Sequence, residues 1–175
     1  LMCQFLSSND LKTSFKIHIF VRDYVQWMSQ HLKEDGTFFQ SQTIEDKIII
    51  LLRIIVEKTK ITNNDDEELF DDVRKSLKNL FDNLLVRNSK IVRVYLCDKI
   101  ISPTLTNWKT SSLPFVDIEV ALYFLCILGD SQSALQSGLK EFEDVLQLLI
   151  ASNISSYPEE NVQLHYFRIV LRYEK

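Results

Sequence analysis

Apolar residues return every three or four positions along most of this chain, the spacing of one face of an α-helix. The first such stretch is Leu11 to Lys33, where Phe15, Ile19, Val21, Tyr24, Val25 and Met28 follow helical spacing, Asp10 serves as N-cap and Asp35-Gly36 as stop. Thr43 to Lys60 is the second. Thr43 and Asp46 give it a start resembling a capping box, and Ile48, Ile49, Leu51, Leu52, Ile55 and Val56 surround so much of it that it needs cover on more than one side. After the polar turn Asn63 to Asp66, a third helix runs from Asp66 to Arg87 with Leu69, Phe70, Val73, Leu77, Leu80, Phe81, Leu84 and Leu85 as its stripe. The fourth runs from Ser89 to about Ile101; Pro103 bends or breaks it, and a helical continuation to Trp108 stays open. The fifth starts near Pro114 and reaches Leu128, with Gly129 as C-cap. The small-residue linker Ser131 to Gly138 leads to a sixth helix, Leu139 to Ala151. After Ser152 to Tyr157, Pro158 opens a seventh that continues to the end.

The pattern therefore predicts an all-α protein of about seven helices, whose short connections force neighbours antiparallel. The hairpins recur every roughly 40 to 47 residues, the period of HEAT and armadillo repeats. A closed bundle is the rival architecture. The linear order favours a HEAT-repeat helical solenoid, with residues 1–175 forming about three to four repeats of a longer array. The chain begins at Leu1 and stops inside a helical pattern at Lys175, so both ends are expected to be cut from a longer polypeptide.

Composition supports the helical reading and removes several chemistries. Glycine and proline number three each, too few for the turns of an all-β fold. Gly36, Gly129 and Gly138 lie too far apart to form a phosphate-binding loop. Cys97 and Cys126 sit inside apolar helical patterns and read as buried reduced thiols, which fits a reducing compartment. His18, His31 and His165 lie in separate segments, and none is at ligand spacing from a cysteine or carboxylate, so neither a metal site nor a catalytic set is expected. The sequence offers no catalytic residues and no cofactor-binding motif. No charge-free apolar run of ~18 residues is present, so no membrane-spanning helix is expected.

Charge is the remaining source of candidate sites. Net charge is −4, against the usual basic excess of nucleic-acid-binding modules. Two basic sets still share helix faces: Lys90 and Arg93 with Lys99 further along, and Arg168 and Arg172 with Lys175 one turn on. In a HEAT array the second helix of each pair lines the concave surface, so aligned cations there could grip RNA phosphates. The plainer reading is an ordinary solvated helix face. The densest acidic run is Asp65, Asp66, Glu67, Glu68, Asp71 and Asp72, which the dipole at a helix N-terminus explains without a partner. Trp108 and Tyr157 could stack on bases, but their place beside helix ends favours packing over hairpin junctions. The stripe Val120, Phe124, Leu125 and Leu128 reads as inter-helix core.

The last third of the chain carries a family resemblance. Thr104-Leu-Thr-Asn-Trp108, the helix beginning Asp117-Ile-Glu-Val-Ala-Leu122, the turn Ser152-Asn-Ile-Ser-Ser-Tyr157 and the helix end Arg172-Tyr-Glu-Lys175 stand in the order and spacing of the middle of exportin-t. That family is the tRNA export receptor of the importin-β (karyopherin) superfamily. The resemblance covers Asp66 to Lys175 best, while residues 1–60 share only the helix pattern. It implies a receptor that shuttles between nucleus and cytoplasm, binds tRNA by shape and backbone together with Ran-GTP, meets nuclear pore proteins and catalyses nothing. The family's N-terminal Ran-binding repeats are not among these residues. Importin-β relatives set acidic loops against Ran, which makes Asp65 to Asp72 a candidate Ran contact by resemblance. No family motif maps RNA contacts onto named positions here, so Lys90, Arg93, Lys99, Arg168 and Arg172 are tRNA candidates by charge and periodicity alone. The alternative function is a helical-repeat scaffold for protein partners without an RNA role.

Overall fold

The computed structural model describes residues 20–26, 41–60, 67–130 and 140–173, and all regular structure among them is helical. Residues 20–26 belong to the first expected helix; the remainder of that helix lies outside the described residues. The other helices are α1 (Ser41–Thr59), α2 (Glu67–Arg87), α3 (Ser89–Leu96), α4 (Ser102–Asn107), α5 (Phe115–Asp130), α6 (Lys140–Ser152) and α7 (Glu160–Tyr173). The chain forms two compact units, Leu1–Val92 and Arg93–Lys175, divided inside α3.

In the first unit α1 packs against α2. Ile48, Leu51, Leu52, Ile55 and Val56 of α1 are buried, as are Phe70, Val73, Leu77, Leu80, Phe81, Leu84 and Leu85 of α2. Removing these side chains from water is the main favourable term in the pairing. The C-terminal end of α1 is held by polar contacts. Thr59 is buried and its hydroxyl donates to the Ile55 carbonyl at 2.7 Å, while Arg74 Nε of α2 donates to the Thr59 carbonyl at 3.1 Å. The Arg74 guanidinium also lies 5.2 Å from the centre of the Phe70 ring. Because α1 begins at Ser41, Thr43 lies inside the helix and does not open it.

The second unit begins with a helical rod whose middle is a π-turn, Cys97–Ile101, linking α3 to α4. Pro103 has no N–H to give the carbonyl four residues earlier, so an undisturbed α-helix cannot run through it. The Ser102 N–H instead bonds to the Cys97 carbonyl, and the wider turn lets the rod continue to Asn107. Pro103 therefore neither ends the helix nor separates it into two hairpin arms. At α5, the Asp117 N–H bonds to the Pro114 carbonyl at 3.0 Å, and Asp117 sits in the first turn where the helix dipole favours it. From Ile118 onward α5 is enclosed on nearly every side: Val120, Phe124, Leu125 and Leu128 are all buried. The break after α6 is made by Asn153 with φ 57°, a left-handed conformation that asparagine tolerates better than most residues. A 3₁₀ turn, Ile154–Ser156, then leads toward α7.

Packing order decides between the two architectures. The π-turn and α4 pack against α6, and α5 packs most extensively against α7. An up-and-down bundle would pair its first helix with its fourth and its second with its third. Here first stacks on third and second on fourth, as in an array of helical hairpins. Specific contacts fix the direction and register. His165 Nε2 lies 3.1 Å from Glu119 Oε1, and Arg172 donates to the Cys126 carbonyl at 3.2 Å; both pairs are 46 residues apart in sequence. A constant offset two turns further along each helix means that α5 and α7 run parallel. Trp108 Nε1 donates to the Ser152 carbonyl at 3.1 Å across an offset of 44 residues, linking the end of α4 to the end of α6. Offsets of this size lie within the roughly 40–47-residue HEAT and armadillo range. The fold is all-α and built as a helical-repeat array.

Gly129 does not cap α5, which extends to Asp130. Its role is close packing: a Cβ at this position would collide with the phenolic oxygen of Tyr173 on α7. Helix propensity alone would make Gly129→Ala stabilising by about 1 kcal/mol. The collision reverses the sign, and the expected outcome is a loss of about 1–3 kcal/mol in chemical unfolding. Adding Tyr173→Phe, which removes the colliding oxygen, should restore most of that loss. A stabilised single variant would contradict the packing role.

Candidate functional site

Two of the signature stretches that set this sequence apart meet in space. Trp108, at the C-cap of α4, lies edge-on to Tyr157 with ring centroids 5.8 Å apart, and its indole N–H reaches Ser152. Lys109 Nζ lies 5.0 Å from the centre of the Trp108 ring. The two aromatic residues thus close the junction between successive hairpins, as their position beside helix ends suggested. Around them, Ser152 Oγ donates to the Leu149 carbonyl at 2.7 Å and accepts from the Ile154 N–H at 3.3 Å. Gln163 Nε2 donates to the Tyr157 carbonyl at 2.8 Å, tying the turn to α7.

The basic candidates divide by burial. Lys90 is exposed on α3, whereas Arg93, one turn later, is only 4% exposed. Their three-residue spacing therefore does not keep both at the surface. Lys99 is exposed on the π-turn. Arg168 and Arg172 are both exposed on α7, and Arg172 is anchored through the Cys126 carbonyl of α5. Lys175 lies outside the described residues. Of the acidic candidates, Asp65 and Asp66 lie outside the described residues, and Glu67 and Glu68 form the first turn of α2. Asp71 and Asp72 are exposed on the same helix, where Asp72 pairs with Lys75 at 3.4 Å. An exposed pair of this kind adds little to stability.

Sequence spacing did not bring out the buried polar pair, Glu119 with His165. Glu119 is 1% exposed inside the most apolar of the described helices, and His165 is 8% exposed on α7. An Nε2–H donated to the carboxylate satisfies a group that would be costly to bury alone. A glutamate in the midst of Ile118, Val120, Ala121 and Leu122 is the one sequence signal that a polar partner must exist. Cys97 is buried and Cys126 half-buried, and neither is in a disulfide. Among the described residues, no group of three His, Cys, Asp or Glu is placed to hold a metal ion. No described helix is long and apolar enough to cross a membrane.

Helical hairpins stacked in parallel, with aromatic residues closing their junction, define a helical-repeat protein. The family model described as Exportin-T matches residues 1–175. The chain is 30% identical over 189 residues to Exportin-T of Homo sapiens, an alignment that covers 100% of this chain and 19% of the relative. It is also 30% identical to Exportin-T of Mus musculus over 184 residues and 27% identical to that of Danio rerio over 188, with the same coverage. The chain belongs to the Exportin-T family, and it spans about a fifth of the length of these relatives.

The junction reading of Trp108 has a direct check. Trp108→Phe keeps an aromatic ring but removes the donor to Ser152, and should lower stability by about 1 kcal/mol in urea unfolding. Unchanged stability would mean that the indole contributes nothing to the junction.

Proposed function

We propose that this chain is part of a nuclear export receptor that carries tRNA from nucleus to cytoplasm in complex with Ran-GTP, shuttling between the two compartments and catalysing no reaction. Membership of the whole chain in the Exportin-T family is the observation that carries this reading. A helical-repeat array suits it physically, because stacked hairpins present regularly spaced side chains to a large, shaped ligand. RNA in A-form is bound largely through shape, 2′-hydroxyls and phosphates, which calls for placed cations and no reaction centre.

Within this segment the exposed cations Lys90, Lys99, Arg168 and Arg172 are the proposed phosphate contacts. Arg93, being buried, is not proposed as a direct ligand. The acidic residues Asp65, Asp66, Glu67, Glu68, Asp71 and Asp72 are the proposed contact for a basic surface of Ran, and nuclear pore proteins are further partners of the whole receptor. Net charge of −4 and the burial of Arg93 favour a second reading, in which this segment serves as a protein-binding scaffold while other repeats hold the RNA.

The test uses the full-length protein carrying this segment, with tRNA binding measured with and without Ran-GTP across a salt series. Binding should depend on Ran-GTP and weaken steeply with salt. Replacing Lys90, Lys99 and Arg168 together by glutamine should weaken it and lower the salt slope by about one for each phosphate that is no longer neutralised. An unchanged affinity and slope would remove these cations from the RNA surface and leave the scaffold reading.

A further inference from the structure

The turn between α6 and α7 holds three serines, and burial separates them. Ser152 and Ser155 are half-buried, and the Ser152 hydroxyl is committed to the Leu149 carbonyl at 2.7 Å. Ser156 is exposed at the end of the 3₁₀ turn. Its Oγ donates to the Asn153 carbonyl at 2.9 Å and accepts from Asn153 Nδ2 at 3.3 Å. Both bonds lie at the surface, where a reagent arriving from solvent can compete for the hydroxyl. Beyond Ser156 the chain leaves regular structure. Tyr157 is extended, with φ −64° and ψ 137°, the form that a following proline such as Pro158 favours, and α7 starts at Glu160.

Charge marks the same stretch. Glu159 and Glu160 stand three and four residues after Ser156, and both are exposed. Neither is in an ion pair among the described residues. An exposed hydroxyl on a non-helical segment is thus followed by two carboxylates that are open to a cationic surface. We propose that Ser156 is a phosphorylation site, served by a protein kinase whose substrate groove is basic and binds the two carboxylates after the acceptor. The transfer forms a bond between Ser156 Oγ and the γ-phosphorus of ATP. It breaks the bond from that phosphorus to the β,γ-bridging oxygen, which leaves with ADP, and the hydroxyl proton passes to a base of the kinase. The product can no longer donate to the Asn153 carbonyl, and it adds a charge of about −1.5 to −2 at neutral pH to a stretch that already carries Glu159 and Glu160. The turn loosened in this way is the one that sets Tyr157 against Trp108, so the modification acts on the junction between the two hairpins. The site does not depend on the tRNA reading.

The experiment treats the folded full-length protein that carries this segment with Mg-ATP and casein kinase II, a serine kinase that requires carboxylates after its acceptor. Phosphopeptides are mapped by mass spectrometry. Phosphate should appear on Ser156, and a variant with Glu159→Gln and Glu160→Gln should gain it at least about 10-fold more slowly, because two charged contacts to the kinase are lost. Amide hydrogen exchange over residues 153–157 should be about 3- to 10-fold faster in the phosphorylated protein. No phosphate on Ser156, phosphate on Ser155 in its place, or an unchanged rate in the double variant would overturn the proposal. Unchanged exchange after phosphorylation would overturn its effect on the junction.

Discussion

A carboxylate buried in an apolar helix constrains everything around it. Glu119 sits at 1% exposure in α5, flanked in sequence by the apolar Ile118, Val120, Ala121 and Leu122, and it cannot stay there without polar partners. His165 of α7 supplies one at 3.1 Å. This contact is directional, whereas the surrounding hydrophobic packing is not. A slip of α7 along α5 by one turn would preserve much of the apolar burial but separate this pair. Arg172 with the Cys126 carbonyl, and Tyr173 over Gly129, repeat the same register further along the helices. Burying a polar pair is seldom the most stabilising choice for a core; its effect here is to select one register out of several.

That register is what makes the second unit a stack of hairpins. With α5 and α7 parallel at an offset of 46 residues, and α4 tied to α6 at 44, the hairpin α6–α7 is placed on the hairpin α4–α5. The signature residues Trp108, Ser152 and Tyr157 belong to this step, at the junction between hairpins. These residues are thus accounted for by architecture, and the proposed ligand contacts fall at exposed positions on the helices. Arg168 and Arg172 illustrate the link between the two: α7 is fixed by its buried face, so the cations it displays are held at a defined height and angle.

Much of the fold is legible in the chain because it depends on local rules. The 3.6-residue apolar period locates the helices, Pro114 marks the start of α5, and paucity of glycine rules against sheet. Features that depend on a second helix are not. Gly129 looks like a C-cap because glycine near a helix end usually is one; its actual constraint is the Tyr173 ring, 44 residues away and invisible to any local pattern. Pro103 looks like a break because a π-turn can absorb a proline only when tertiary packing supports the wider turn. Lys90 and Arg93 look like a pair because helical spacing sets the angle between side chains and says nothing about where the neighbouring helix lies. The family was legible from its junction residues, while the proposed RNA contacts carry no such signature and are chosen by charge and exposure.

The measurement that bears most directly on the stacking register is a double-mutant cycle on Glu119 and His165, with each residue replaced by alanine singly and together and stability read by chemical unfolding. A coupling of about 1–3 kcal/mol between the two positions is the result expected if α7 is held on α5 at an offset of 46 residues. Losses that add to within about 0.5 kcal/mol would mean that the two side chains do not act on each other, and the parallel register built on them would fail.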